Sequence, residues 1–188
     1  MTRDDAYQLV CGWTKNPNLV KHMLAVEAIM AALAIHFHED EQLYRIAGLV
    51  HDADYEQFKD GDPKRHPSVI FDELAKRGAD PKVIAAVRSH AWGWREDLPK
   101  PETKMEWSLY CADELSGLIT ACALVRPDKK LESLTIESVM KKFPQKAFAA
   151  GAIRENILHC EKELGIPLPE FVGIALGAMQ GIHEELGL

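Results

Sequence analysis

The sequence predicts an all-helical fold, a single compact multi-helix domain carrying additional helices toward its C-terminus, and three observations carry that reading. Leu19, His22, Val26, Ile29 and Leu33 recur at spacings of 3, 4, 3 and 4, the stripe of an amphipathic helix. Helix-start pairs such as Asn16-Pro17 and Asp80-Pro81, and stop residues such as Gly78 and Gly165, punctuate the chain at short intervals. No segment reads convincingly as a strand.

The elements follow in order. Asn16-Pro17 opens the first amphipathic helix, since proline is tolerated in a first turn. A second helix begins near Asp40 and runs through Leu43, Ile46, Ala47 and Val50. A third starts at Pro67 and stops at Gly78. Asp80-Pro81 then starts a fourth, on which Val83, Val87 and His90 share a face. Residues 92–102 hold two tryptophans, an arginine and two prolines, and read as a loop. Thr103 and Glu106 fit a capping box for a long helix that ends before Arg126-Pro127, because the residue before proline avoids helical angles. Three further helices are expected near 136–143, 145–164 and 169–187. With no repeat, low-complexity tract or linker, residues 1–188 read as one domain, divided into a core at about 18–126 and a helical extension at about 128–188.

Composition narrows the function. A chain of 188 residues can bury about 70% of its unfolded surface, so a substantial core is available. Its net charge of -7 argues against a nucleic-acid polymer as partner, because phosphate backbones are held by neutralising lysines and arginines. It leaves open a small phosphorylated substrate anchored by a metal ion. Cys11, Cys111, Cys122 and Cys160 form no C-x-x-C pair and no apolar leader precedes them, so they read as reduced thiols of a cytoplasmic protein. The apolar run Met23 to Ile35 is interrupted by Glu27 and is too short to cross a bilayer, so no membrane partner is expected. Oligomeric state is open at this level.

The residues that promise chemistry are polar groups on apolar faces. His51 and Asp52 end the segment LVHDAD, where charge continues a run that the core should cover. His22 and His90 each continue an apolar helix face, and Asp113 sits mid-helix beside Leu109, Ala112 and Ser116. Buried charges need partners or a metal. Each residue has a plainer explanation, a hydrogen-bonded core histidine or an aspartate paired with arginine. Several independent helices each turning a His or Asp inward are the footprint of a metal or catalytic site.

Together, His22, the doublet His51-Asp52 and Asp113 resemble the H…HD…D signature of the HD superfamily of metal-dependent phosphohydrolases. His66 and His90 fall where the two-metal branch of that superfamily has further ligands. The resemblance spans about residues 18–120 and implies an HD-type helical domain with one or two divalent ions on His22, His51, Asp52, His66, His90 and Asp113. Mixed imidazole and carboxylate ligands favour Mn, Fe, Co or Ni over Mg. The sequence departs from many relatives by reading HDADY where they read HDIGK, so it lacks the basic residue that follows their doublet.

The implied activity is hydrolysis of a small phosphate ester, such as a nucleotide, by metal-activated water. Asp52 is placed at the metal, and Asp54 is a candidate proton donor or outer partner of the site. Glu56 reads as an ordinary loop carboxylate. Lys64, Arg65 and Arg95 can offset substrate charge, and Trp94, with Trp92, can stack a flat group. Gly48 leaves room for a close helix approach, with Gly117 in the corresponding place after Asp113. His36 lies about 21 Å along the helix from His22, at about 1.5 Å per residue, so it and His38 are poor ligands. His159 and His183 have charged neighbours and read as surface residues. Two alternatives stand beside the hydrolase: an HD-type di-iron oxygenase, which shares the six-ligand pattern, and a catalytically silent nucleotide-binding module.

Overall fold

A computed structural model describes all residues, 1–188. Twelve helices follow in chain order: α1 (Arg3–Trp13), α2 (Pro17–Phe37), α3 (Glu41–Val50), α4 (Tyr55–Phe58), α5 (Val69–Lys76), α6 (Pro81–Ser89), α7 (Lys104–Leu124), α8 (Ile136–Lys142), α9 (Arg154–Ile157), α10 (His159–Glu163), α11 (Leu168–Gln180) and α12 (His183–Leu186). A 3₁₀ turn at Pro63–Arg65 precedes α5. There is no strand, and one isolated bridge joins Trp92 to Arg95.

The long helix α2 is the axis of the molecule and packs against α3, α7 and α11. Asn16 caps it by accepting the Asn18 N–H, with Pro17 in its first turn. At 21 residues it is long and apolar enough to cross a membrane by length and composition. Val26, Ile29, Met30 and Leu33 are instead fully buried in a core that continues to Leu186. Glu27, the charge inside that helix, is also buried and is held by a two-bond fork from Arg3, with both distances 2.9 Å. A buried carboxylate needs such a partner.

Helix α3 crosses α2 at Gly48. A Cβ there would stand 2.9 Å from the backbone of Val26 and Glu27, so the approach requires glycine. Gly117 has nothing within 4 Å of a built Cβ and therefore serves a different purpose from Gly48.

Several boundaries differ from the sequence reading. Helix α1 was not anticipated. The third expected helix starts at Val69 rather than Pro67, because Asp54 satisfies the N–H groups of Ser68 and Ile70 from outside the helix. The expected helix 145–164 is broken into turns, α9 and α10. Arg154 breaks it: the buried guanidinium donates to the carbonyls of Phe143, Phe148, Ala149 and Ala152, folding that segment around itself. Thr103 caps α7 as expected, accepting the Glu106 N–H. The return bond from Glu106 goes to the Glu102 N–H instead of to Thr103's own.

Candidate metal centre

Helix α3 stops at Val50, and residues 51–54 continue as turns. On a regular helix two adjacent residues cannot face one centre. The loosened turn allows it, with His51 Nε2 and Asp52 Oδ2 3.8 Å apart. His22 comes from α2, and Asp113 from the middle of α7. His90 follows the end of α6, and His66 lies in extended backbone (φ -80°, ψ 140°) between the 3₁₀ turn and α5.

These six side chains form two adjoining groups. His22, His51 and Asp113 are one: His22 Nε2 lies 3.0 Å from Asp113 Oδ1 and 3.2 Å from His51 Nε2. Asp52, His66 and His90 are the other, with Asp52 Oδ1 at 3.0 Å from His66 Nε2 and 3.7 Å from His90 Nε2. Asp52 joins the groups, since its Oδ2 lies 3.7 Å from His22 Nε2. Within each group the donor atoms all lie within 4.8 Å of one another.

The outer nitrogens show what the inner ones are for. His51 Nδ1 is 2.7 Å from the Gly48 carbonyl, and His90 Nδ1 is 2.6 Å from that of Val87. His66 Nδ1 is 2.6 Å from Asp54 Oδ1. His22 Nδ1 donates to Ser116 Oγ at 3.1 Å, whose own hydrogen goes to the Asp113 carbonyl. All four imidazoles thus donate outward through Nδ1, which fixes ring orientation and leaves Nε2 as the free acceptor. Four Nε2 lone pairs and two carboxylates converge with no neutral donor among them. Only cations, protons or metal ions, can balance that arrangement, and the donor set fits divalent metals of the imidazole-binding kind.

Without metal, protons fill the role. Burial opposes a charge on His51, but Asp52 and Asp113 overcome it and raise its pKa to about 9. His66 likewise rises to about 9 against its burial, through Asp52 and Asp54. The histidines hold Asp52 and Asp113 well below the ordinary carboxylate range despite burial. Glu114 goes the other way. Burial and the adjacent Asp113 push it up to about 7, while the Ile153 N–H and Asn156 amide restrain the rise.

The sequence profile of the HD domain family matches residues 19–120, just over half of the chain, and the matched span contains all six converging residues. The chain belongs to the HD domain family. Ribonuclease Y of Desulforudis audaxviator (strain MP104C) is 29% identical to this HD domain protein over 145 residues, 73% of the chain. Those residues are 26% of that protein, so the chain spans about a quarter of its length. No solved structure matches the chain.

A cavity of about 620 Å³ opens beside the HD cluster. Asp52, His66, His90 and Asp113 form its floor, while Trp94, Tyr110 and Asn156 contribute to its walls. Trp94 is half exposed. Four other residues expected around this space do not line it. Lys64 and Arg65 are exposed and do not line the cavity; the Arg65 guanidinium lies over the Phe58 ring. Arg95 is committed to Asp97 and to the Pro67 carbonyl at 2.6 Å, which ties the tryptophan loop to the approach of α5. Of the two places the sequence allowed it, Asp54 takes that of an outer partner of the site. It is fully buried, its two oxygens accept from His66, Ser68 and Ile70, and it stands behind His66 rather than in the cavity.

Glu56 accepts the Lys15 and Asn16 N–H groups, a structural tie at the α1–α2 junction. His36 and His38 lie outside the cluster. His159 departs from its surface assignment: it is partly buried and stacks on Trp107 with ring centroids 4.8 Å apart. The sequence reading missed Tyr110, Glu114 and Asn156. Glu114 alone had a signal, as a second carboxylate directly after Asp113. A hollow of about 610 Å³ between α3, α6 and the start of α7, lined by Tyr44, Lys82 and Lys104 among others, contains none of the six.

Proposed function

We propose that this HD domain protein is a metal-dependent phosphohydrolase acting on a small phosphate ester such as a nucleotide. The observation that carries the proposal is Asp52, whose two carboxylate oxygens face different His-containing groups, as a bridging ligand between two ions requires. In this reading His22, His51 and Asp113 would hold one ion, and His66 and His90 would hold the second. Mn, Fe, Co or Ni suit this imidazole-rich set better than Mg. Divalent ions in such a site supply a Lewis acid for the phosphoryl oxygens and bring water to a nucleophilic state near neutral pH.

The chain's own residues do the rest. Asp52, with its pKa held low, stays an anion and a ligand over the whole physiological range. Asp54 fixes the His66 ring, and Ser116 fixes that of His22. His51 is sealed at the floor of the site, whereas Asp52 and Asp113 keep 14% and 27% side-chain exposure, which leaves room for a substrate phosphate on their side. Trp94 and Tyr110 offer flat faces to an organic group beyond the phosphate. A relative whose name is that of a ribonuclease supports the phosphate-ester class.

The six-ligand set serves the di-iron oxygenase reading equally well, so the test includes both chemistries. Protein purified without chelator is analysed for metals and then assayed on a phosphate-ester panel with Mn²⁺ or Co²⁺, and with Fe²⁺ and O₂. Metal-dependent phosphate release that disappears in Asp52→Ala is the expected result. Substrate-coupled O₂ consumption with no phosphate release across the panel hands the site to oxidation.

A further inference from the structure

The span matched by the HD domain family ends at residue 120, yet the cavity at the His/Asp cluster is walled on one side by a segment well beyond it. Ile153 and Asn156 line that cavity together with Tyr55, Trp94 and Tyr110 from within the span. Glu114, directly after Asp113 on α7, fastens the segment. Its carboxylate accepts the Ile153 N–H at 2.8 Å and the Asn156 amide at 3.1 Å. One turn of α7 thus carries both a residue of the cluster and the anchor of the wall beside it.

Arg154 sets the shape of the segment. Its buried guanidinium donates to the carbonyls of Phe143, Phe148, Ala149 and Ala152, and to no carboxylate. A buried charge held by carbonyls alone costs more than an apolar residue of equal volume, so it serves the path of the backbone rather than the core. That path is one the chain does not prefer: Ala149 has a φ of 47°, in the left-handed region that favours glycine. The side chain displayed at its end is Ile153, 46% exposed. Trp94 and Tyr55, at 51% and 37%, are the other exposed large apolar residues around this cavity. No lysine or arginine lines it.

We propose that residues 149–156 form the specificity wall of the site. Ile153 and Trp94 grip an uncharged organic arm of the substrate, and Arg154 is the positioning residue that holds Ile153 in place. The chemistry of the walls selects that arm. Covering exposed aliphatic and aromatic surface favours a group with a flat or aliphatic face. A second anionic group would instead enter a space lined by Asp113 and Glu114, with no lysine or arginine to receive it. A nucleoside monophosphate meets this requirement, and a nucleoside polyphosphate does not.

This inference rests on the phosphohydrolase reading, and the experiment separates the two. Binding of methylphosphonate, benzylphosphonate and 4-carboxybenzylphosphonate to Mn²⁺-loaded protein is measured by calorimetry. Their P–C bonds are not esters, so they persist as ligands. Benzylphosphonate is expected to bind about tenfold more tightly than methylphosphonate, as burial of one ring allows. The added carboxylate should cancel most of that gain. The benzyl-to-methyl affinity ratio should fall to near one in Ile153→Ser, a change at an exposed position. It should also fall in Arg154→Lys, whose single ammonium cannot reach four carbonyls. A purely structural role for Arg154 would weaken both ligands together and leave the ratio intact. A wild-type ratio near one, or a ratio that survives Ile153→Ser, overturns the wall alone. A ratio unchanged in Arg154→Lys overturns the positioning role, and equal binding of the carboxylated ring overturns the uncharged arm. Failure of all three probes to bind overturns the phosphate-ester reading and this inference with it.

Discussion

Asp54 Oδ1 lies 2.6 Å from His66 Nδ1 while Asp54 Oδ2 accepts the N–H groups of Ser68 and Ile70, so one buried carboxylate both orients a histidine of the converging cluster and starts helix α5. Asparagine at this position has one acceptor oxygen for two sets of donors, and its NH₂ must face an N–H. Asp54→Asn is therefore predicted to lower stability by about 1–3 kcal/mol, the cost of leaving a buried polar group unmatched. It should also weaken one of two bound ions by about 10–100-fold, as loss of an outer partner of a ligating histidine does. Thermal unfolding and metal retention after dialysis measure the two effects. Retention of both ions at wild-type affinity would contradict the assigned role.

Asp52→Ala should have a larger and different effect. It removes the carboxylate shared by both groups, so both ions should be lost and phosphate release should fall to background. Catalytic loss is expected to exceed the loss of stability, because Asp52 contacts histidines of the cluster rather than the apolar core. Parallel measurement of metal content, turnover and melting temperature tests this. A variant that keeps two ions and appreciable turnover refutes the bridging assignment.

Proton balance gives a third prediction. His51 and His66 have folded-state pKa values near 9 against about 6.5 when free, so the stability they contribute to the metal-free protein is complete below about pH 6.5. It is lost as pH rises through 9. The lowered carboxylates, Asp52 and Asp113, contribute above about pH 4 and lose their share as pH falls further. Metal-free protein should accordingly melt at higher temperature at pH 6 than at pH 9.5. Metal binding at pH 7.5 must displace protons from both histidines, since a ligating imidazole is neutral. Calorimetric titration in two buffers of different ionisation enthalpy counts the protons. Release of none contradicts the protonated cluster.

The two glycines near the His/Asp cluster should separate cleanly. Gly48→Ala places a Cβ 2.9 Å from the α2 backbone and should destabilise by about 1–3 kcal/mol while displacing the His51-Asp52 turn. Gly117→Ala meets open space inside a helix and should be neutral or stabilising by up to about 1 kcal/mol. Denaturant unfolding of both variants decides it, and equal effects would remove the structural distinction.

What was legible in the sequence was whatever local chemistry writes down. Asn16, Asp40, Asp80 and Thr103 mark helix starts because the cap is a contact within a few residues. The six polar residues stood out because they interrupt apolar faces. Helix α1 was missed because it buries only Ala6, Leu9 and Val10, too narrow a stripe for periodicity, although Thr2 and Asp5 form a capping box that could have marked it. The break at 145–153 depends on Arg154 gathering carbonyls up to eleven residues away, which no helical pattern reveals. The tie made by Arg95 was hidden for the same reason: its partners at Pro67 and Arg65 are distant in sequence and close only in the fold. The six converging residues could be read, but the walls around them, Tyr110, Glu114 and Asn156, come from helices whose packing the sequence does not spell out.

The central claim, two ions bridged by Asp52, is tested most directly by metal stoichiometry. Titration of the metal-free protein with Mn²⁺ should saturate near two equivalents per chain, and His66→Ala and His90→Ala should each reduce this toward one. Saturation at one equivalent, unchanged in both variants, would contradict the account.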